Sequence, residues 1–158
     1  MLRNLWAVKC SIAFGIRILL AKTYLIPVLL YGCEIYMNCD ANDLQKLKVS
    51  YNNIARYVFN RGVRATISVF SQQICNMYFE NLLKFICLIF LHKIIYTAQP
   101  TYLYGTINFG ISAGGLVLIQ RKYKTTFSER QFFIYCTRLW NQLPKRIQII
   151  NNANRFKI

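Results

Sequence analysis

Acidic residues are scarce in this chain of 158 residues, and their scarcity excludes one class of chemistry. The five acids are Glu34, Asp40, Asp43, Glu80 and Glu129. No two are adjacent, whereas chemistry that uses two metal ions needs closely placed carboxylates to hold them. Asp40 and Asp43 form the one close pair, and their spacing favours an N-cap and a first-turn carboxylate of a helix over a metal site. We therefore expect no catalytic residue and no metal site in this chain.

Histidine is also rare, and closely paired cysteines are missing. His92 is the only histidine and no Cys-x-x-Cys pair occurs, so Cys87 and His92 lack the second ligand pair that a zinc site needs. One histidine and scattered acids leave no constellation for a hydrolase either. The six cysteines are Cys10, Cys33, Cys39, Cys75, Cys87 and Cys136. Because charges interrupt the first thirty residues, no signal peptide is predicted, and we expect reduced structural thiols inside the cell.

A long uninterrupted hydrophobic run is absent as well. The most apolar stretch, residues 81–98, contains Lys84, His92 and Lys93. A membrane-spanning helix needs about 20 apolar residues with few charges. The stretch therefore favours a buried helix of a folded core, and we do not expect a membrane partner.

What the chain does contain is positive charge and hydrophobic surface. The formal net charge is +15, and 55% of the residues are hydrophobic. Residues 101–158 carry nine basic residues against one acid, Glu129. Excess positive charge with interleaved aromatics suits a polyanion, with nucleic acid first and an acidic membrane surface second. The hydrophobic surplus indicates surface that packs against another protein.

Hydrophobic periodicity predicts helices along most of the chain. Residues 5–31 read as a helix that Pro27 ends or kinks, with Gly32 as its C-cap. Residues 44–58 have one apolar face and are followed by Gly62 as a stop. A shorter helix is predicted from Thr66 to Tyr78, capped at residues 66–68.

The second half of the chain changes character. Residues 79–97 are apolar on nearly every face, which predicts a central helix ended by Pro100. Residues 100–130 are rich in Gly, Thr and Ser and predict an irregular, partly extended connection. A helical stripe returns from Phe132 to Leu143. The predicted fold is mainly α, an irregular helical bundle with a long loop around residues 100–130.

Two sequence segments identify a family more specifically than the composition does. They are residues 23–35 (TYLIPVLLYGCEI) and residues 132–144 (FFIYCTRLWNQLP). Together with residues 44–59, 90–96 and 100–103 between them, they resemble the C-terminal region, thumb and downstream, of reverse transcriptases of non-LTR retrotransposons, jockey-like and of insect type. The resemblance covers nearly the whole chain. It implies a helical thumb-like region at 1–99, an irregular basic connection at 100–131 and a C-terminal helical tail at 132–158.

The resemblance also implies a function. The family's catalytic carboxylates lie upstream of this region, so we expect a truncated fragment of an RNA-directed DNA polymerase that lacks the catalytic palm and is not an enzyme as an isolated chain. No cofactor is expected here, whereas the parent polymerase would need Mg²⁺. The missing palm is the partner that the surplus hydrophobic surface implies, and a nuclear location follows from the resemblance alone.

A thumb grips a primer–template through phosphates and sugars rather than through bases. The residues expected to contact that backbone are Arg61, Arg64, Arg121, Lys122, Lys124 and Arg130. A solvated basic loop without a partner remains an alternative for them. For the chain as a whole, the alternative is a structural or protein-interaction remnant without catalytic activity, and a membrane-associated basic protein is a third reading.

Overall fold

The computed structural model describes residues 11–36, 39–112, 115–120, 122, 124–125 and 131–156. The predicted fold class is confirmed, because the described residues are mainly α-helical with one two-stranded antiparallel sheet. The helices are α1 (Phe14–Leu20), α2 (Ile26–Leu30), α3 (Cys33–Tyr36), α4 (Ala41–Val58), α5 (Ser68–Cys75), α6 (Phe79–Thr97), α7 (Thr101–Tyr104), α8 (Phe132–Asn141), α9 (Lys145–Gln148) and α10 (Ala153–Phe156). The strands β1 (Phe109–Ser112) and β2 (Gly115–Leu118) pair with Phe109 opposite Leu118.

Contacts divide the chain into two compact units. The first contains the described residues of Met1–Gly32 and Asp40–Leu83, and the second those of Cys33–Cys39 and Lys84–Ile158. The boundary between them falls inside α6. Each unit has buried side chains of its own.

The first helical run shows how proline is accommodated within a helix. A π-helical segment, Ala21–Leu25, connects α1 to α2, and Pro27 lies in the first turn of α2. Proline has no N–H to donate to the preceding turn, and a wider π turn relieves the missing hydrogen bond. The helical run therefore continues past Pro27 to Leu30 and turns at Gly32, which has a φ of +68°.

The amphipathic helix α4 supplies the largest share of the core of the first unit. Most of its first half is exposed, with Leu44 and Leu47 half-buried, and its buried residues all lie between Tyr51 and Val58. The buried apolar residues of this unit are Ala21, Leu25, Ile26, Tyr51, Ile54, Ala55, Tyr57, Val58, Ile67, Ile74, Phe79, Leu82 and Leu83. Tyr51 packs against Phe79 with ring centroids 5.3 Å apart. The core therefore forms between α4, the π segment and the start of α6.

Two helices of this unit end on asparagine rather than glycine. Asn60 follows α4 with a φ of 53°, so the chain leaves the helix there and not at Gly62. Helix α5 likewise ends at Asn76, which has a φ of 55°, before the predicted end at Tyr78. Asparagine tolerates the left-handed region better than other residues with a Cβ. The N-cap of α5 is Ile67, so the helix begins within residues 66–68 as predicted, but no side chain caps it.

Asn76 therefore offers a test of backbone geometry. Its side chain is exposed, so changing it removes little packing. We expect Asn76→Ala to have a free energy of unfolding about 1 kcal/mol lower than that of Asn76→Gly. In the left-handed region the Cβ of alanine crowds the following carbonyl oxygen, whereas glycine has no Cβ. Chemical denaturation followed by circular dichroism measures the difference. Equal stability of the two variants would contradict the assigned geometry.

The second unit is organised around the C-terminal half of α6. Its buried residues are Cys33, Cys87, Leu91, His92, Ile94, Leu118, Ile134, Cys136, Thr137, Trp140, Gln148 and Phe156. His92 Nε2 donates to the carbonyl oxygen of Ile150 at 2.6 Å, and the ring stacks on Phe156 with centroids 4.2 Å apart. The tyrosine hydroxyl of Tyr96 donates to the carbonyl oxygen of Gln148. These contacts hold the C-terminal segment against α6.

The hairpin of this unit lies in the connection predicted to be irregular and partly extended. Asn141, the last residue of α8, pairs with both backbone groups of Leu118. Its Nδ2 donates to the Leu118 carbonyl oxygen at 2.8 Å, and its Oδ1 accepts from the Leu118 N–H at 3.1 Å. The Asn141 amide thus makes the two backbone hydrogen bonds that a neighbouring strand would make at the end of β2, and it fixes the hairpin to α8.

Candidate nucleic-acid interface

The cations of the described residues lie almost entirely on the surface. All of the described lysines and arginines are exposed except Arg17, Lys48, Arg56 and Arg138. Arg17 is the buried one, and its Nη1 lies 3.5 Å from the carbonyl oxygen of Tyr57. The long aliphatic stems can still pack along apolar surface while the charges face water. Most of the positive charge is therefore available to a polyanion.

Arg61 and Arg64 share the loop between α4 and α5. Arg61 lies over the ring of Phe70, 5.0 Å from its centroid, and its backbone N–H donates to the carbonyl oxygen of Arg56. A hydrogen bond from α4 fixes this loop, because Arg56 Nε donates to the carbonyl oxygen of Ala65 at 3.1 Å. Both arginines are exposed, so the structure presents this predicted pair as one basic surface of the first unit.

The predicted basic connection is described in part. Lys122 and Lys124 are exposed and belong to the second unit. Arg121, Tyr123 and Arg130 lie outside the described residues. The predicted site residues therefore occur as two separate described pairs, one in each unit.

Sequence reasoning missed a further group of exposed cations. Lys145 and Arg146 form the first turn of α9, directly after Pro144, and Arg155 lies in α10. All three are exposed. The signal was available in the sequence, because lysine and arginine side chains are mostly exposed. These residues add three exposed cations to the second unit.

A cleft in the first unit was also missed. Its volume is about 550 Å³, within the range typical of ligand sites. It is lined by Lys48, Tyr51, Asn52, Arg56, Thr66, Ile67, Tyr78, Phe79, Glu80 and Asn81. These residues come from α4, the loop before α5 and the start of α6, which are distant in sequence. No short motif marks such a site.

Two acids of the first unit form ion pairs with lysines. Asp40 occupies the N-cap position of α4, without a side-chain cap to the helix, and Asp43 lies in the first turn. Asp43 pairs with Lys46 at 2.8 Å, and Glu80 pairs with Lys48 at 2.8 Å. Across the residues that the structure describes, no group of three His, Cys, Asp or Glu side chains is placed to hold a metal ion.

Three cysteines form a buried row in the second unit. The Cys87 thiol is hydrogen-bonded with Cys33 on one side and with Cys136 on the other. The bond to Cys87 and burial raise the pKa of Cys33. The bond to Cys136 and burial raise the pKa of Cys87, and the bond to Cys33 opposes that rise. Burial also raises the pKa of the neighbouring Tyr36 hydroxyl to about 12. The row is a packed and unreactive part of the core.

We expect this row to resist alkylation. Because the thiolate is the reactive form and the raised pKa removes it at pH 8, Cys87 should react roughly tenfold or more slowly with iodoacetamide than the half-buried Cys39. Mass spectrometry after timed quenching measures both rates, and the unfolded chain in denaturant serves as the control. If Cys87 in the folded chain were modified as fast as Cys39, the buried row would be disproved.

Comparison with protein-family models, with curated proteins and with solved structures gave no match. One helical stretch, Gln73–Thr97, is long and apolar enough to cross a membrane by length and composition, and 33% of its most apolar window is buried. The core helix of a soluble protein meets the same criterion. The support for a function therefore comes from the chain's own residues and from the sequence resemblance.

Proposed function

We propose that this chain is the region downstream of the palm of a non-LTR retrotransposon reverse transcriptase and that it binds the backbone of nucleic acid without catalysing polymerisation. The observation that carries the binding is the exposure of eleven of the fifteen described lysines and arginines. The family assignment is supported by the ordered phrases at 23–35 and 132–144.

The charge balance favours a polyanionic partner. Twenty lysines and arginines face five acids in the whole sequence, so one-to-one pairing would leave most cations without an acidic partner. A protein that neutralises phosphates with such groups releases condensed counterions, which supplies affinity that does not depend on sequence. Flexible exposed side chains such as Lys122 and Lys124 suit phosphate contacts, which position a duplex without reading its bases.

Polymerisation would have to come from elsewhere. The two-metal mechanism needs adjacent carboxylates, and the acids of this sequence are dispersed. In the proposal, Mg²⁺ and the reacting groups belong to the palm of the parent polymerase. The described thumb-like unit would hold the duplex that the palm extends.

Binding and catalysis are tested separately. We expect the purified chain to raise the fluorescence anisotropy of a labelled RNA–DNA hybrid at low salt and to give no primer extension with Mg²⁺ and deoxynucleotides. A neutral dextran-coupled dye serves as the control for non-specific adhesion. No binding to the hybrid would overturn the proposed interface, and primer extension would overturn the non-catalytic assignment.

A second candidate function, a protein-interaction module, is favoured by one surface. The helical run from α1 to α2 exposes apolar side chains, among them Leu19, Val28 and Tyr31, which are 60%, 72% and 88% exposed. Exposed apolar patches of this kind mark protein interfaces. A protein partner whose binding survives high salt, combined with no affinity for the hybrid, would favour this candidate over the first.

A further inference from the structure

We infer that the cleft of the first unit binds a single nucleotide, with its phosphate on Arg56 and its base on Tyr78. This inference deepens the proposed function and rests on it for the class of ligand. The cleft lies entirely within one unit, between α4, the loop before α5 and the first turn of α6. Its volume of about 550 Å³ is in the range of pockets that enclose small ligands.

Arg56 is a fixed guanidinium at the wall of this cleft. Its Nε donates to the Ala65 carbonyl oxygen at 3.1 Å, and its Nη1 donates to Asn53 Oδ1 at 2.8 Å. These bonds orient the planar group, and its remaining N–H donors have no partner among the described residues. A guanidinium presents its donors in a rigid fork that matches the oxygens of phosphate. The guanidinium of Arg56 is therefore preorganised to bind an anionic group.

Tyr78 supplies an open aromatic face. Its side chain is 52% exposed and makes no ring contact within the described part of the chain. Tyr51 and Phe79 also line the cleft and form a buried aromatic pair, so part of its wall is aromatic. Stacking on an aromatic ring is how single bases are held without regard to their identity. A planar ring fits this arrangement better than a sugar or an aliphatic chain does.

Two amide side chains complete the site. Asn52 and Asn81 line the cleft from α4 and α6, and neither side chain has a hydrogen-bond partner within the described part of the chain. An amide offers both donors and acceptors and can pair with the edge of a base or with a ribose hydroxyl. The ion pair between Lys48 and Glu80, at 2.8 Å, joins the same two helices at the cleft. The lining therefore has two cations against one acid, which favours an anionic ligand.

The probes are uridine and adenosine 5′-monophosphates, the corresponding nucleosides and inorganic phosphate. Each is titrated into the full ¹⁵N-labelled chain, and the amide shifts of Asn52, Arg56 and Asn81 are followed. We expect saturable shifts at these residues with the monophosphates, and at least roughly tenfold weaker binding of nucleoside or phosphate alone, because each then lacks one of the two anchors.

Three variants test the assignment. Asn81→Trp fills the cleft from an exposed helix position, and Asn42→Trp places the same side chain at an exposed position of α4 outside it. We expect Asn81→Trp to abolish saturation and Asn42→Trp to bind like the unaltered chain. Tyr78→Ala, which removes only an exposed ring, should weaken monophosphate binding about tenfold and keeps the test open if Asn81→Trp does not fold.

The outcomes separate this inference from the proposed function. Monophosphate shifts confined to residues outside the cleft, or unchanged binding in both Asn81→Trp and Tyr78→Ala, overturn the nucleotide site even when the RNA–DNA hybrid binds. Saturation of the cleft without hybrid binding supports the nucleotide site and overturns the backbone interface. Absence of binding to every probe and to the hybrid overturns both.

Discussion

Replacing Trp140 with alanine should lower the free energy of unfolding of the second unit by about 3–5 kcal/mol, the range for deleting a large buried aromatic. Trp140 has no exposed surface and lies at the centre of this unit. Its ring stacks with Phe156 at a centroid distance of 5.9 Å, and its carbonyl oxygen accepts from Gln148 Nε2 at 2.6 Å. The cavity would open between α8, α6 and the C-terminal segment. Guanidinium denaturation followed by circular dichroism measures the decrease in stability.

Trp140→Phe is the matched control. The indole N–H is buried without a hydrogen-bond acceptor among the described residues, so the phenylalanine variant loses ring volume but no hydrogen bond. We expect it to cost clearly less than the alanine variant. A destabilisation as large as that of Trp140→Ala would show that the indole nitrogen has a partner, and a negligible effect for both would show that Trp140 is not in the core.

Neutralising the predicted basic residues should produce the second large effect. We expect the fourfold variant Arg61→Gln, Arg64→Gln, Lys122→Gln and Lys124→Gln to bind the RNA–DNA hybrid more than about tenfold more weakly at low salt. The salt slope should decrease by roughly 0.9 for each phosphate that the variant no longer neutralises. All four side chains are exposed, so the fold should be retained. Anisotropy titrations at several salt concentrations measure both quantities.

A control with the same type of change isolates position from net charge. Lys46 is paired with Asp43, and Lys93 lies on the exposed side of α6. Lys46→Gln with Lys93→Gln removes as much charge as Arg61→Gln with Arg64→Gln. The first pair should reduce affinity less than the second. Equal reductions would mean that the chain binds through its overall charge and not through the loop between α4 and α5.

The helices were predictable because their signal is local. The apolar periodicity of residues 44–58 and the uniform hydrophobicity of residues 79–97 correspond to α4 and α6. The details at helix ends were less predictable, since Gly62 and Asn60 are both acceptable stops and only the packed structure chooses between them. Pro27 is a similar case, because a π segment allows the helix to continue where the sequence suggests an end or a kink.

Of the candidate sites, one was predictable from local sequence and the other was not. Exposed cations such as Arg61 and Arg64 could be named from the sequence, since a basic residue next to a helix stop is normally on the surface. The cleft could not be named, because Arg56 and Tyr78 line one cleft only once α4 packs against the start of α6. The pairing of His92 with Ile150 is equally non-local, because the two partners are 58 positions apart in the sequence. Sequence patterns carry no information about which distant backbone group a buried side chain will reach.

The most direct measurement of the central claim is the dependence of hybrid affinity on salt concentration. If exposed lysines and arginines grip the phosphate backbone, the logarithm of the binding constant should fall linearly with the logarithm of salt concentration, by about 0.9 per neutralised phosphate on a duplex. The same slope should appear for hybrids of unrelated sequence. An affinity that is independent of salt, or that holds for one sequence only, would contradict the proposed function.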